Sequence, residues 1–281
     1  MTVFPEMKFF KIILFLFLAL TVSCSSPGSS SREETLSESR ASTQVDPDKV
    51  IFLKFAAAGE IEEIKYYLST SEKKAPQDYL DEALMTASIN GQIEVMEFLI
   101  TDNANVNTRL RGSRSPILSE TIYARRPEAV DYLLAHGANV NHFDRYGQTP
   151  LGKAVETDQF EIAQKLITRG ADINFRSSAG NTVLMDAARN GKTNFVKLLL
   201  KKGATVNLTD QAGLTALMVA AFNGQLNAVR ALIDAGADFK IKDSENHTAL
   251  SLAKQAFISA GEIKKENFRK VINLLEKKGA K

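Results

Sequence analysis

Few side chains in this 281-residue sequence could carry covalent or metal chemistry. Cys24 is the single cysteine, so the chain can form neither an intramolecular disulfide nor a cysteine cage for a metal. Of the three histidines, only His136 and His142 lie near each other, and neither has a cysteine or a second histidine at ligand spacing. We expect both to be solvent-exposed loop residues, with no metal and no cofactor.

Charge and composition exclude further classes of function. The 35 Lys and Arg residues nearly balance the 33 Asp and Glu residues, so we expect no net electrostatic attraction to nucleic acid. Carboxylates are scattered over what should be solvated helix faces, as in EIEEIK at 60–65, and the sequence has no glycine-rich phosphate loop. The patterns predict a protein that is not an enzyme.

The position of the single thiol is informative. Lys8 and Lys11 flank IILFLFLALTV at 12–22, and a helix needs about 20 apolar residues to span a bilayer. The run is too short for that, but it has the length and basic flank of a signal-peptide core. We therefore expect an exported protein; a cytosolic protein that retains this apolar segment is the alternative.

Ser23-Cys24 after such a segment resembles the lipobox of bacterial lipoproteins. The resemblance implies that residues 1–23 are a lipoprotein signal peptide and that Cys24 becomes the acylated N-terminus. It also implies a lipid anchor in the bacterial cell envelope, with the outer membrane or the periplasmic face favoured. The family usually has Leu three residues before the cysteine, where this chain has Thr21. A plain cleaved signal peptide with an incidental cysteine is the alternative.

Residues 24–48 follow as a separate segment. They are rich in serine and poor in apolar residues, so they cannot bury enough surface to fold alone. A flexible chain of this length lets a folded domain stand roughly 25 Å from its anchor. We interpret the segment as a tether.

The rest of the chain repeats with a period of 33. Four glycines at this interval each follow an apolar stripe at helical spacing, and Asn103 occupies the same place 34 residues before the first. Asn also adopts the left-handed conformation that ends a helix, so we expect it to act like the glycines. Threonines with the same period suit helix N-caps. The glycines are Gly137, Gly170, Gly203 and Gly236, and the threonines are Thr149, Thr182, Thr215 and Thr248.

The repeating unit resembles the ankyrin repeat. The motif appears as DRYGQTPL at 144–151 and DQAGLTAL at 210–217, with AARNG at 187–191 and AAFNG at 220–224. The resemblance implies an all-α solenoid of helix-turn-helix units with β-hairpin-like connections, in a domain at 49–281. We count seven repeats, with divergent first and last units that cap the apolar stack. The last carries about ten extra residues before its second helix.

Two departures from the family pattern bear on structure. The histidine that follows Thr-Pro-Leu is replaced by Gly152, Met185, Met218 and Ser251, which should loosen a hydrogen-bond network at the helix start. Repeat 3 has Pro116 at the threonine position and Arg125 at a glycine position, so we expect a local distortion there.

The family binds partners on a concave face made by hairpin tips and inner helices, which implies a monomer that binds another protein. Large apolar residues on that face would anchor the partner, unless they pack on neighbouring repeats. Arginines 109, 111, 114, 125 and 126 should form a basic patch opposed mainly by Glu120. The rival function is a small-ligand site or an enzyme with a pocket at repeat 3 or near 255–268. The candidate binding residues are Tyr123, Arg125, Arg126, Phe143, Arg145, Tyr146, Arg176, Arg189, Leu214 and Phe222.

Overall fold

The computed structural model describes residues 46–70 and 76–280, which belong to one folded unit. Cys24, the predicted signal peptide and most of the predicted tether lie outside the described residues. The described part contains seven pairs of α-helices, so the predicted number of repeats is confirmed. Their bounds are Pro47–Ala58 (α1), Ile61–Thr70 (α2), Gln77–Asn90 (α3), Ile93–Thr101 (α4), Ile117–Tyr123 (α5), Pro127–Ala135 (α6), Pro150–Glu156 (α7), Phe160–Thr168 (α8), Val183–Arg189 (α9), Thr193–Lys201 (α10), Ala216–Phe222 (α11), Leu226–Asp234 (α12), Ala249–Ser259 (α13) and Glu262–Lys277 (α14).

The first helix of each pair packs on the first helices of the neighbouring pairs, and we call these the inner helices. Small residues at one position of the stack let these helices approach closely. Four of them, Ala154, Ala187, Ala220 and Ala253, are completely buried. In repeats 2 and 3 the same position holds a polar pair, in which the Thr121 hydroxyl donates to Ser88 Oγ at 3.0 Å. Each hydroxyl also lies 2.8 Å from a backbone carbonyl of its own helix, so the pair is buried with its polar atoms satisfied.

The periodic threonines cap the inner helices. Thr182 Oγ1 accepts from the backbone N–H of Met185 at 3.3 Å, and Thr215 Oγ1 does the same for Met218. In return, each methionine sulfur accepts from the backbone N–H of its threonine, at 3.5 and 3.4 Å. The expected loosening of the hydrogen-bond network at the helix start is therefore partly wrong. In repeats 5 and 6 a methionine sulfur, although a weak acceptor, takes the place of the histidine.

The second helix of each pair ends where the sequence predicts. Asn103 has φ 71°, close to the values of 84° at Gly137 and 87° at Gly170, so it does replace a glycine at this position. The N–H of the next residue then bonds back into the helix, as in Ala138 N–H to Leu133 O at 3.0 Å. These bonds satisfy carbonyls that would otherwise be left free at the helix end.

Successive hairpins are joined by one backbone hydrogen bond each. Ser178 N–H donates to Tyr146 O at 3.1 Å and Gln211 N–H donates to Ala179 O at 3.2 Å. The same bond joins Arg145 N–H to Ser113 O and Ser244 N–H to Ala212 O, at 3.0 and 2.9 Å. The hairpins therefore form a continuous row beside the inner helices.

The local distortion expected in repeat 3 is present, and it leaves the helices of the repeat intact. Its helices α5 and α6 have 7 and 9 residues, as in the three following repeats. The irregularity is confined to the hairpin, where a bridge pairs Arg109 with Pro116, one residue wider than the Thr209–Thr215 bridge of repeat 6. Arg114 and Arg125 both have φ 57°, in the left-handed region where the regular repeats place glycine. The extra residue and the two strained arginines are absorbed by turns, so the helix stack continues unchanged.

The two ends of the solenoid differ. In repeat 1, Lys49 pairs with Asp78 at 2.8 Å and Glu82 at 3.0 Å, and Tyr79 donates to Asp46, which raises the pKa of the phenol to about 12. In repeat 7, the expected insertion before the second helix is not a loop, because α13 and α14 have 11 and 16 residues and take up the added length. Among residues 46–70 and 76–280, no helix combines the length and apolar character needed to cross a membrane.

Candidate protein-binding surface

One position near the end of successive inner helices forms a line of large side chains, which we call the inner-helix row: Tyr123, Glu156, Arg189 and Phe222. Each is 33 residues from the next and closes its helix. Tyr123 is 60% exposed and Phe222 is 48% exposed, although both are large and lie at the edge of a well-packed core. Two aromatic residues thus flank two charged residues along one face.

The charged part of the row is connected to its aromatic end. Lys153 Nζ lies 5.2 Å from the centre of the Tyr123 ring and 2.9 Å from Glu156 Oε2. Gln148 donates to the same carboxylate at 2.6 Å. Burial alone would raise the pKa of Glu156, but the hydrogen bonds from Lys153 and Gln148 lower it below its usual value. Glu156 is therefore an ordered anion on this face at neutral pH.

Arg189 is paired within its own helix, with Nη1 3.3 Å from Asp186 Oδ1. Burial raises the pKa of Asp186, and the neighbouring Glu156 raises it further, while Arg189 acts in the opposite direction. Such a half-buried carboxylate gains from an additional cation nearby. Sequence reasoning had not selected Asp186, Glu156 or Lys153, although the 33-residue period places Glu156 directly beside Tyr123 and Arg189.

The hairpins contribute a second set of exposed residues. Tyr146 is 68% exposed, and Arg145 beside it is exposed as well. Phe143 is 44% exposed, and the centre of its ring lies 5.0 Å from that of Phe175. It therefore faces solvent in part and also packs on the next repeat, the two alternatives that the sequence left open. Leu214 is different: it is half-buried and packs on the core, which corrects the expectation that it faces solvent.

The arginines of repeat 3 are used mainly within the protein. Arg125 donates to Thr157 O at 2.6 Å, and Arg126 donates to Ile89 O at 3.1 Å. Arg126 belongs to a series in which one side chain per repeat reaches the end of the preceding inner helix; the other members are Gln92, Gln159, Lys192 and Gln225. These bonds leave fewer N–H groups free for a partner, so Arg125 and Arg126 are weaker candidates than the exposed aromatic residues.

The proposed basic patch also has a different counter-charge. Arg111 pairs with Asp78 at 3.1 Å and Glu82 at 3.0 Å, both from repeat 2, where the sequence suggested Glu120. Arg109 donates to Phe143 O at 2.9 Å, and Arg176 donates to Thr209 O in the next hairpin. The hairpin arginines thus hold consecutive repeats together.

The histidines do not form a site. His136 is exposed and stacks on Tyr132 with 4.1 Å between ring centres. His142 is half-buried, which corrects the expected solvent exposure; its Nδ1 is buried without a hydrogen-bond partner in the described part of the chain. Burial, and to a lesser degree Arg109, lowers the pKa of His142. In the described ranges no three His, Cys, Asp or Glu residues are placed to hold a metal ion.

Two surface cavities in the described part bear on the predicted small-ligand pocket, and neither is lined by the hairpin of repeat 3 or by residues 255–268. The larger, about 530 Å³, lies beside the turns at Asp158 and Gly191. The smaller, about 320 Å³, lies between the hairpins of repeats 4 and 5 and the start of α7. The predicted pocket at repeat 3 therefore has no counterpart in these two cavities.

A comparison with protein-family models agrees with this geometry. The model described as ankyrin repeats, in three copies, matches residues 112–177 and 160–243. Repeats of this kind are protein–protein interaction modules, and the proteins that carry them are generally binding scaffolds without enzymatic activity. The helix pairs before and after the matched residues continue the same stack. The described part of this chain is therefore an all-α solenoid, and residues 112–243 within it match ankyrin repeats.

Proposed function

We propose that this protein is an exported, membrane-tethered scaffold that binds another protein on the face formed by its inner helices and hairpins. The observation that supports the binding face most strongly is the exposure of Tyr123, Tyr146 and Phe222 on it. Aromatic side chains bury a large area at low conformational cost, and they are enriched among the residues that dominate binding energy.

The mechanism is rigid display of contacts. Hairpins joined by backbone hydrogen bonds and inner helices packed through alanines hold the exposed residues at fixed spacing before the partner arrives. A preorganised surface loses little conformational entropy on binding, so more of the contact energy appears as affinity.

The tether is proposed to bring this surface near a membrane. Acyl chains on Cys24 would contribute about 0.8 kcal/mol for each buried CH₂ group, so two or three chains hold a protein almost irreversibly. Asp46 caps α1, which begins at Pro47, so the proposed tether is shortened to 24–45. Confinement by this tether raises the effective concentration of partners in the same membrane. A regulator or inhibitor of an exported protein fits this arrangement, and a surface adhesin is the alternative within the same class.

The binding face is tested by affinity capture from detergent extracts of the native envelope. We expect one stoichiometric partner with the natural chain and at least tenfold less with Tyr123→Ala and Phe222→Ala combined. Tyr66→Ala is the matched control, since Tyr66 is 71% exposed on the outer helix α2. Equal losses for both variants would contradict the assignment of the face. Capture of host or matrix molecules instead of one envelope protein would favour the adhesin.

The anchor is tested separately by intact-mass spectrometry of the protein from its native membrane. We expect a chain that begins at Cys24 and carries acyl groups, and release of the Cys24→Ala variant from the membrane. An unmodified chain that begins elsewhere would refute the tether and leave the binding face untouched.

A further inference from the structure

The cavity of about 320 Å³ is a feature of repeats 4 and 5 that the binding face alone does not explain. The hairpin before α7 and the start of α7 form one side, including Tyr146, Gln148 and Gly152. The hairpin before α9 forms the other, including Phe175 and Ser177. The cavity therefore opens among the hairpins and inner helices that form the proposed binding face.

Gly152 keeps part of this space empty. Repeats 3, 5, 6 and 7 have Ser119, Met185, Met218 and Ser251 at the same place. A Cβ added at Gly152 would meet only Gln148 Cγ at 3.5 Å and Thr149 Oγ1 at 3.6 Å, which are ordinary contacts. Neither steric crowding nor a left-handed φ requires glycine here, yet glycine costs a helix about 1 kcal/mol relative to alanine. Open space is the property that this residue supplies.

Three carboxylic acids, Asp144, Asp172 and Asp186, line the cavity, and no basic side chain of the described residues does. Asp144 Oδ1 accepts from the N–H groups of Tyr146 and Gln148, and Asp172 Oδ1 accepts from that of Asn174, which leaves the second oxygen of each for a ligand. Asn181 also lines the cavity, but its Oδ1, which has no hydrogen-bond partner in the described part of the chain, is buried away from solvent. The lining therefore offers acceptors to a donor-rich, positively charged group.

The size of that group follows from the remaining contacts. In the described part of the chain, the lining acids do not form a group placed to hold a metal ion. The rings of Tyr146 and Phe175 line the same cavity, and aromatic faces attract organic cations. Arg189 and Lys153 lie nearby, but each is already paired, with Asp186 and Glu156 respectively. A planar guanidinium or an ammonium on an alkyl chain matches both the volume and the lining.

We propose that this cavity receives an arginine or lysine side chain of the partner protein, held by Asp144 and Asp172 beside the existing Arg189–Asp186 pair and flanked by Tyr146 and Phe175. The inference rests on the proposed function and adds to it the chemistry of the partner: a basic side chain presented to repeats 4 and 5. The exposed aromatic residues of the inner-helix row would then contact the apolar surroundings of that side chain.

The test is a titration of the full-length chain, in detergent, with N-acetylarginine amide, followed by NMR or calorimetry. We expect it to bind at least tenfold more tightly than the isosteric, neutral N-acetylcitrulline amide. Gly152→Met should place a methionine side chain beside the cavity and reduce the affinity at least tenfold, with an unchanged or higher Tm. Ser251→Met, the same change of side chain three repeats later, is the control and should bind normally.

Several results would overturn the proposal: no binding, equal binding of the citrulline amide, or full binding by Gly152→Met. Tighter binding of free arginine than of the blocked amide would also do so, since it would identify a free amino acid as the ligand. Capture of the partner separates this proposal from the previous one. If Tyr123→Ala with Phe222→Ala abolishes capture and Gly152→Met does not, the cavity is not used and the binding face remains.

Discussion

Repeats 3 and 6 form nearly the same backbone from different residues. Gly213, Thr215 and Gly224 of repeat 6 correspond to Arg114, Pro116 and Arg125 of repeat 3, three periods earlier. The values of φ are nevertheless similar: 80° at Gly213 against 57° at Arg114, and 67° at Gly224 against 57° at Arg125. The hairpin of each repeat also makes the same backbone bond to its successor. Contacts between repeats therefore impose the backbone conformation. The preference of each residue for that φ determines only how much stability the conformation costs.

The largest expected effect is in repeat 6. A Cβ at Gly213 would lie 3.0 Å from Asp243 Cα and 3.1 Å from Ser244 N, so Gly213→Ala combines a left-handed residue with a backbone overlap. We expect a loss of about 3 kcal/mol in the free energy of unfolding, measured by chemical denaturation. Gly203→Ala has a similar φ but open space around the added carbon, and should lose only about 1 kcal/mol. Equal losses would show that the stacking of hairpins is not the cause.

The helix cap gives the next effect. Thr215 is 1% exposed and its hydroxyl caps α11, so Thr215→Ala should cost about 1 kcal/mol. Pro116 makes no side-chain cap, and Pro116→Ala should cost less than half as much. The same denaturation experiment compares the two. A larger loss of unfolding free energy for Pro116→Ala than for Thr215→Ala would contradict this, and would mean that the proline stabilises the hairpin by contacts other than a helix cap.

Arg114→Gly should have the opposite sign to Gly213→Ala. The substitution removes the strain of a left-handed arginine, which costs the folded state about 1–2 kcal/mol. It also makes the unfolded chain more flexible, and this offsets part of the gain. We expect the free energy of unfolding to rise by about 0.5 kcal/mol. The increase is measured as a rise in Tm, which is converted to a free energy through the entropy of unfolding. Destabilisation would show that the Arg114 side chain makes a contribution larger than its backbone strain.

The smallest effect at neutral pH concerns His142 in repeat 4, whose place in repeat 6 is taken by Leu208, packed on the core. Because the folded-state pKa of His142 is lowered, the unfolded chain binds the proton more readily. Stability is therefore retained above the ordinary histidine pKa of about 6.5 and lost as the pH falls below it. His142→Leu removes a buried nitrogen that is unpaired among the described residues, and should raise the Tm slightly at pH 8 and clearly more at pH 5. A gain that does not depend on pH would contradict this cause.

The fold was predictable from the sequence because its signals are local and repeated. The glycine and threonine periods located the helix ends, and Asn103 was correctly predicted to act as a glycine. Side-chain partners were less accessible, since they depend on residues one repeat away. Arg111 reaches Asp78 across 33 residues, and Arg126 reaches Ile89 across 37. His142 was misjudged because its loop position is also an inward-facing one, a fact visible only when Leu208 and Ile241 are aligned with it. The cavity depends on the absence of a side chain at Gly152, which no motif records.

The central claim, that partners bind on the face of inner helices and hairpins, is tested most directly by site-specific photo-crosslinking in the native envelope. A photoreactive residue is placed at Tyr146 on the exposed hairpin, or at the exposed Glu161 on the outer helix α8 of the same repeat. The account predicts one crosslinked protein from position 146 and none, or only scattered products, from position 161. A discrete product from position 161 with none from position 146 would contradict the account and move the binding surface to the opposite face.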